Sequence, residues 1–306
     1  MRNAKIRNAV MAFTFLLPSL LGFAVFSILP MLVSATVSLS DWDGLHELTL
    51  FDDAAGFFRE YGVGLSHYAA IFRSAELWQT LGNTLEFVVT YVPLMLIAAL
   101  GVGLILTQKR RGSGVLRALY YIPVITSWVA GALVWRWALS PEYGIVNAIL
   151  DIVGIRGTMW LQSEDWAMPG IVLASVWKDM GYFGLMFFAG LRSIDQGYYE
   201  AAQIDGAGRV RQFINVTLPM LSPTMFFVII ISIINSLQIF PQVMVMTPGG
   251  GPGGSTMVMV ERIYTRAFSY YQMGYASALS WVLFAVIFIM TFVQMKLQEG
   301  WVTYSV

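Results

Sequence analysis

The chain has 306 residues, of which 57% are hydrophobic and 12% charged, and its formal net charge is zero. Its mean hydropathy of +0.67 is typical of a protein with several membrane spans and not of a soluble domain. The absence of cysteine excludes disulfides and thiolate metal sites. Membrane lipid is therefore the expected surroundings of the chain, and no nucleic-acid partner is expected.

Six segments are apolar enough to cross a membrane as helices. About 20 helical residues cross the roughly 30 Å hydrocarbon core, and the uncharged runs in this chain reach that length. The first run is too long for a signal peptide, so we interpret it as a retained span. The sequence predicts spans at about 9–39, 79–107, 114–139, 166–191, 217–243 and 272–297.

Charges between the spans predict the orientation, because basic residues collect on the cytoplasmic side of membrane proteins. With a cytoplasmic N-terminus and six crossings, the first outer loop at 41–76 is acidic, and both termini are cytoplasmic. The inner segments then hold the basic residues Arg2, Lys5, Arg7, Lys109, Arg110, Arg111, Arg117, Arg192, Arg209, Arg211 and Lys296.

The segments that connect the spans differ in character. QKRRGSG at 108–114 predicts a tight basic turn, and YGIVNAILDIVG at 143–154 predicts a short helix. The last outer loop contains TPGGGPGGST at 247–256, followed by the amphipathic stretch VERIYTRAF at 260–268. The glycine-rich stretch allows two interpretations, a flexible outer turn or a contact for a docked partner.

EAAQIDGAGRVRQFINVTLP, at 200–219, separates the fourth and fifth spans. Ser193 and Gln196 form a capping box, which predicts a helix over about 194–204. Gly206 and Gly208 are expected to end it, because glycine adopts the backbone conformations found after a helix. A second short helix, RVRQFINV, would follow. Spacing alone allows a helix lying on the membrane or a docking helix whose small residues let a partner approach.

This stretch resembles the EAA loop of permease subunits in binding-protein-dependent ABC importers. The family pattern is Glu-Ala-Ala, three residues, Gly, nine residues, Ile, one residue, Leu-Pro, and here Val216 replaces the isoleucine. FLLPSLLGFAVFSILPMLVSATVSLSDWDG, NSLQIFPQVMVMTPGGGPGGST and YTRAFSYYQMGYASALS resemble sugar permeases of the carbohydrate-uptake branch. The residues that the resemblance assigns to ATPase coupling are Glu200, Ala201, Ala202, Asp205, Gly206, Leu218 and Pro219.

The resemblance implies an all-α membrane protein with the type I ABC importer permease fold, in a bacterial or archaeal inner membrane. It implies a second, non-identical permease, two cytoplasmic ATPase subunits that bind ATP and Mg, and an extracytoplasmic sugar-binding protein. The implied domains are an N-terminal span with its loop at 1–78, a five-span core at 79–298 containing the coupling loop 193–219, and a tail at 299–306. Carriers of monosaccharides, disaccharides, oligosaccharides and glycerol phosphate share these motifs, so the substrate stays open.

The absence of nucleotide-binding and catalytic motifs also agrees with a transport subunit that depends on partners. The chain contains no GxxxxGK[ST] loop, so energy must come from a partner or an ion gradient. HExxH and GxSxG are absent, and His46 and His67 are the only histidines, so we predict neither catalytic residues nor a cofactor or metal in this chain. An ion-coupled secondary transporter is the main alternative. Such carriers have related halves and broken helices at matching positions, and neither is visible in the sequence.

A polar side chain within a span raises the free energy if it faces lipid, so such side chains face a cavity or another helix. Sugars require hydrogen-bonding groups and flat apolar walls, for which Trp177 or Tyr182 would serve. The resembled family places substrate contacts in the fourth and fifth spans. An inter-subunit ion pair of the adjacent lysine and aspartate, or hydrogen bonds between helices, remain alternatives. The predicted substrate-path residues are Ser175, Lys178, Asp179 and Tyr182 in the fourth span and Ser232, Asn235, Ser236 and Gln238 in the fifth.

Overall fold

The computed structural model describes residues 2–108 and 113–302, which are predominantly helical, with one isolated antiparallel bridge between Ser40 and Gly62. The basic turn predicted at 108–114 lies largely outside the described residues, as does most of the tail beyond 302. The chain divides into two compact units. One comprises Met1–Ser74 with Ile263–Phe284, and the other comprises Ala75–Arg262 with Ala285–Val306.

The first unit begins with a long apolar segment and continues into short helices. Helix α1 (Arg2–Phe23) continues through a π-helical turn (Ala24–Ile28), called a wide turn below, into α2 (Leu29–Val37). The helices α3 (Ala54–Tyr61) and α4 (Ser66–Arg73) follow. Phe57 and Ile71 are fully buried and anchor α3 and α4. None of the most apolar part of 13–37 is buried within the chain, so lipid or another chain must cover it.

Two long helices form the centre of the second unit. Its elements as far as Ser193 are α5 (Ala75–Thr107), α6 (Ser113–Ile125), α7 (Trp128–Ala138), α8 (Ile145–Ile152) and α9 (Glu164–Ser193). Helices α5 and α9 approach closely at glycines: a Cβ on Gly103 would lie 2.8 Å from Cβ of Phe187, and one on Gly184 would lie 2.6 Å from Cγ1 of Val102. Small residues at such crossings let helix backbones pack tightly within a membrane. Helix α8 confirms the short helix predicted within 143–154.

The rest of the second unit contains shorter helices. They are α10 (Gln196–Ile204), α11 (Arg209–Gln212), the wide turn Phe213–Thr217, α12 (Leu218–Met220), α13 (Ser222–Leu237), α14 (Pro241–Met246) and α15 (Met259–Tyr264). The predicted fifth span was wrong at its end, since α13 stops at Leu237 instead of 243. The residue before a proline disfavours helix, and Phe240, which precedes Pro241, has an extended φ of −150°. Beyond the wide turn Thr265–Ser269, α16 (Met273–Gln298) begins in the first unit and ends in the second.

Two of the six predicted spans are broken. Four described helices are long and apolar enough to cross a membrane, and the count reaches six if each of two bent pairs forms one span. The third span bends by 98° between α6 and α7, and the fifth bends by 64° between α12 and α13. Neither break was predicted from the sequence, although a proline lies near each of them: Pro123 in α6 and Pro223 in the first turn of α13.

The start of α10 also differs from the sequence prediction. Helix α9 continues to Ser193, whose hydroxyl donates to the carbonyl oxygen of Gly190 at 2.8 Å. Asp195 is the N-cap instead, since its Oδ1 accepts from the backbone N–H of Gly197 at 2.6 Å. The capping box assigned to Ser193 was therefore wrong, because an aspartate two residues closer to the helix takes that role.

Candidate functional site

A cavity of about 240 Å³ lies among five helices of the second unit. Helices α5, α7, α9, α13 and α14 contribute to it, together with the turn between α13 and α14. Its polar groups are one carboxylate, three amides and two hydroxyls, and its apolar walls include aromatic rings. The lining residues are Phe87, Tyr91, Trp128, Asp179, Asn235, Ser236, Gln238, Ile239, Pro241 and Gln242.

The only charged residue in this lining is Asp179. Its Oδ2 accepts a hydrogen bond from the Tyr91 hydroxyl at 2.7 Å. The Tyr91 ring in turn stacks on Phe87, with ring centroids 5.1 Å apart and an angle of 10° between the ring planes. Tyr91 and Phe87 are almost fully buried in α5, so this packing fixes the orientation of the carboxylate at the cavity wall.

The amide side chains provide hydrogen-bonding groups that the protein itself leaves unused. Asn235 and Gln238 are exposed and make no side-chain hydrogen bond within the described part of the chain. Gln242 is only 6% exposed, and its buried Oε1 has no partner among the described residues. A buried acceptor without a partner destabilises a fold by about 1–3 kcal/mol.

Four of the eight predicted substrate-path residues, Asp179, Asn235, Ser236 and Gln238, line this single cavity. The other four do not line it. The hydroxyl of Ser175 donates to the carbonyl of Ile171 and that of Ser232 to the carbonyl of Ile229, each within its own helix. Tyr182 is 41% exposed and points away from the lining.

Lys178 is the fourth residue outside the lining, and its ammonium group is fully engaged elsewhere. Nζ lies 2.9 Å from the carbonyl oxygen of Pro123, 3.2 Å from that of Val124 and 2.7 Å from that of Thr126. Lys178 and Asp179 are therefore adjacent in sequence but contact different helices.

Six of the ten lining residues were not predicted from the sequence, and three of these six, Tyr91, Trp128 and Gln242, carry polar groups. Tyr91 lies in the apolar second span, where its ring suggested only a lipid-facing or buried position. Trp128 begins α7, directly after a break that periodicity did not reveal, and it provides the flat wall expected of Trp177 or Tyr182. The pattern Phe-Pro-Gln at 240–242 was the one available signal for Gln242, since the proline marks an interruption of the span.

The predicted coupling loop forms a helix with a well-defined end. Gly206 has φ +75°, a left-handed conformation that favours glycine. The backbone N–H of Gly206 bonds to the carbonyl of Gln203 at 3.0 Å, and that of Ala207 bonds to the carbonyl of Ala202 at 2.8 Å. These two bonds form a Schellman motif, which satisfies carbonyls at the end of α10. Gly206 therefore ends the helix as the sequence predicts.

The loop is tied to the chain on one side and open on the other. The Tyr199 hydroxyl lies 3.0 Å from Oγ1 of buried Thr217, which joins α10 to the turn before α12. Glu200 is exposed, and Ile204 is 86% exposed. Among the other predicted coupling residues, those of α10 and its end are exposed or half-buried, and those that begin α12 are half-buried: Ala201, Ala202, Asp205, Leu218 and Pro219.

The glycine-rich stretch at 247–256 is held in place by side chains. Asn83 in α5 donates through Nδ2 to the carbonyl of Gly254 at 2.8 Å. Thr256 donates to the hydroxyl of Thr247 at 2.8 Å, and both threonines are buried. These contacts favour an ordered element over the flexible turn that the sequence also allowed.

Glu261 in α15 is buried behind this stretch, outside the helices long enough to cross a membrane. The backbone N–H groups of Gly249 and Gly250 favour the ionised form of its carboxyl group. Burial raises the pKa of Glu261 to about 7, although the two N–H groups and the charge of Arg262 act in the opposite direction. Its Oε2 has no partner among the described residues, as expected of a carboxyl whose neutral form is favoured.

We expect Glu261 to make the chain less stable as pH rises. The folded chain keeps this proton to about pH 7, whereas the unfolded glutamate loses it near 4.5, so the stabilisation present below pH 4.5 is lost by about pH 7. In detergent, Tm should fall by roughly 3 °C or more between pH 5 and pH 7.5. Glu261→Gln should flatten this fall, and Glu142→Gln, at an exposed position, should leave it intact. An unchanged slope in Glu261→Gln would contradict the assignment.

Comparisons with known proteins agree with these features. A model of the family described as binding-protein-dependent transport system inner membrane component matches residues 62–301. The chain is 34% identical to the probable ABC transporter permease protein YesP of Bacillus subtilis, over 99% of this chain and 96% of the relative. It is 35% identical to the trehalose/maltose transport system permease protein MalF of Thermococcus litoralis, over 95% of each. It is 32% identical to the lactose transport system permease protein LacF of Rhizobium radiobacter, over 92% of this chain and 91% of the relative.

A solved structure has the same fold. One chain of a bacterial ABC transporter involved in the import of the acidic polysaccharide alginate superposes with a TM-score of 0.76 at 22% identity, covering 98% of this chain and 99% of that one. The sequence-based resemblance and the all-α permease fold are thereby confirmed. The chain belongs to the family of binding-protein-dependent transport system inner membrane components, the permease subunits of ABC transporters.

Proposed function

We propose that this chain is a permease subunit of an ATP-driven importer for a sugar, and that the sugar passes through the cavity around Asp179 and Gln242. The observation that carries the proposal is a cavity lined by Asp179 and by the amides of Asn235, Gln238 and Gln242, and none of these amides makes a side-chain hydrogen bond within the described part of the chain. Hydroxyl-rich ligands match such a lining, because each hydroxyl donates and accepts. Trp128 and Phe87 supply apolar faces for the C–H surfaces of a sugar ring.

The substrate class follows from the relatives and from the size of the cavity. Relatives named for trehalose, maltose and lactose transport favour a disaccharide or a longer saccharide. Small-molecule sites typically enclose about 300–1,000 Å³. The cavity of about 240 Å³ in this chain would hold only part of such a substrate. A second, non-identical permease facing the cavity would complete the site.

Coupling to ATP is assigned to the loop around α10. Exposed Glu200 and Ile204 would enter a cleft on a cytoplasmic ATPase subunit, with Glu200 paired to a basic residue there. The Schellman motif at Gly206 and the bond between Tyr199 and Thr217 would transmit motion of α10 to α12 and the broken fifth span. Alternating access would then open the cavity first toward the binding protein and then toward the cytoplasm.

The orientation and partners belong to the same proposal. Both termini would be cytoplasmic in the inner membrane of a bacterium or archaeon, as the distribution of basic residues predicts. An extracytoplasmic binding protein would deliver the sugar at the end that carries the glycine-rich stretch. Two ATPase subunits, with ATP and Mg, would dock at the other end, and this chain itself would hold no cofactor.

Replacing Gln242 by leucine tests the proposed path. Cells carrying the intact importer should take up a labelled disaccharide, and Gln242→Leu should raise KM by about tenfold with little change in Vmax, since it removes a ground-state contact. Leucine has a similar size and needs no partner, so folding should be preserved. Gln162→Leu, at an exposed position outside this cavity, is the control. Unchanged KM, or uptake that stops when the ion gradient is collapsed while ATP persists, would contradict the proposal.

A further inference from the structure

We propose that Lys178 is a positioning residue that holds the break in the third span and thereby sets Trp128 at the cavity wall. One ammonium group reaches the end of α6, the connecting residues and the beginning of α7. The consequence for transport rests on the proposed function, whereas the geometry of the break does not.

The ammonium group satisfies the end of α6. The last four carbonyls of a helix have no partner within it, and a membrane supplies no water to replace that partner. Lys178 donates to two of them, Pro123 and Val124, and the Thr126 hydroxyl donates to a third, that of Ile122, at 3.0 Å. The third donor of the ammonium bonds the carbonyl of Thr126 beyond the helix end. A cation also suits this position, because the C-terminal end of a helix carries partial negative charge.

The same ammonium group holds the first residue of α7. Nζ lies 5.2 Å from the centre of the Trp128 ring, within the range of a cation–π interaction. No side chain caps the N-terminus of α7, because the N-cap Ser127 makes no side-chain bond to it. The ammonium group of Lys178 therefore holds the Trp128 ring, and Trp128 lines the cavity. The chain bends by 98° between α6 and α7, and the ammonium group of Lys178 contacts the chain on both sides of this bend.

The backbone of α9 reinforces this contact one turn further along. A Cβ on Gly181 would overlap the carbonyl oxygen of Tyr120, so α6 lies directly against α9 at this glycine. Lys178 and Gly181 are three residues apart and share a face of the helix. Asp179 lies beside that face and bonds Tyr91 in α5 instead. The fourth span thus uses adjacent positions for two purposes, one to hold α6 and α7 and one to line the cavity.

A lysine buried in a span is retained only where its charge and donors are satisfied. Lys178 is 5% exposed, and all three of its donors have carbonyl acceptors. Its removal would leave three carbonyls without a partner in an apolar setting. The α6–α7 junction would then adopt a different angle or several angles, and Trp128 would leave its place in the cavity.

Because the chain contains no cysteine, paired spin labels can measure this angle directly. Leu119→Cys in α6 and Val134→Cys in α7 provide exposed labelling sites on the two sides of the break. In the full chain in lipid nanodiscs, Lys178→Met should shift the label–label distance or widen its distribution about twofold. Lys178→Arg, which keeps the charge and several donors, should restore the wild-type distribution. An unchanged distribution in Lys178→Met would overturn the proposal.

Two further variants separate this proposal from the proposed function. Arg192→Met removes another cation of α9, whose guanidinium carbon lies 5.5 Å from the ring centre of Phe188, and should leave the distance distribution unchanged. In uptake assays, Lys178→Met and Trp128→Ala should each raise KM by about fivefold or more, and the double variant should add little, because both act at one position. An altered distance with normal KM in both would support the positioning role and refute the cavity as the sugar path.

Discussion

Gly206→Trp is expected to abolish uptake while the chain remains in the membrane. Within this chain the change is tolerable, since a Cβ at Gly206 meets no atom within 4 Å and only the left-handed conformation is penalised, by about 1–2 kcal/mol. At the exposed end of α10, however, the indole would occupy the space that a docked ATPase requires. Purification in mild detergent should recover an ATPase with the wild type and lose it with the variant, and uptake should fall by at least about tenfold.

Gly154 offers a closely matched control for this experiment. Its φ of +77° is almost identical to the +75° of Gly206, and a Cβ there also meets no atom within 4 Å. Gly154 follows α8, far along the chain from the coupling loop. Gly154→Trp carries the same backbone strain and should keep both the ATPase and uptake. If Gly206→Trp retained its ATPase and transported normally, the assignment of α10 to docking would be wrong.

The sequence predicted the spans and the end of α10 because each depends on local pattern. Long apolar runs can be satisfied in a membrane only as helices, which explains why the second, fourth and sixth spans agree with α5, α9 and α16. The end of α10 was also predictable, since glycine is the residue suited to a left-handed position such as that of Gly206. The breaks in the third and fifth spans were not, because proline permits a bend but does not determine its angle.

The cavity was predicted only in part, and the reason lies in what periodicity can detect. A shared helix face identified Asp179 and Asn235 as candidates, and both line the cavity. The same criterion also selected Ser175, whose hydroxyl donates to a carbonyl of its own helix. Lys178 was included because it lies beside that face, but its acceptors belong to a segment about fifty residues earlier. Trp128 and Tyr91 come from other helices of the second unit. Only the three-dimensional arrangement brings them to the same wall.

Asp179→Ala is expected to raise KM for the transported sugar by at least about tenfold. Hydrogen bonds to a charged group contribute about 1.5–3 kcal/mol each, and 1.4 kcal/mol corresponds to a factor of ten in affinity. Among the described residues, Asp179 is bonded only through Oδ2, by the Tyr91 hydroxyl, so Oδ1 remains available to substrate hydroxyls. Ser175→Ala, one turn earlier in α9, is the control, because the hydroxyl of Ser175 bonds to Ile171 and does not reach the cavity.

A double-mutant cycle decides whether Asp179 contacts substrate or only orients Tyr91. Tyr91→Phe keeps the ring that stacks on Phe87 and removes the hydroxyl that donates a hydrogen bond to Asp179. If Asp179 only anchors this tyrosine, both single variants and the double variant should raise KM equally. A direct contact predicts a larger effect for Asp179→Ala than for Tyr91→Phe, and Asp179→Asn should recover part of it. Unchanged KM in Asp179→Ala would remove the carboxylate from the substrate path, leaving the three amides and the two hydroxyls of the lining as its polar groups.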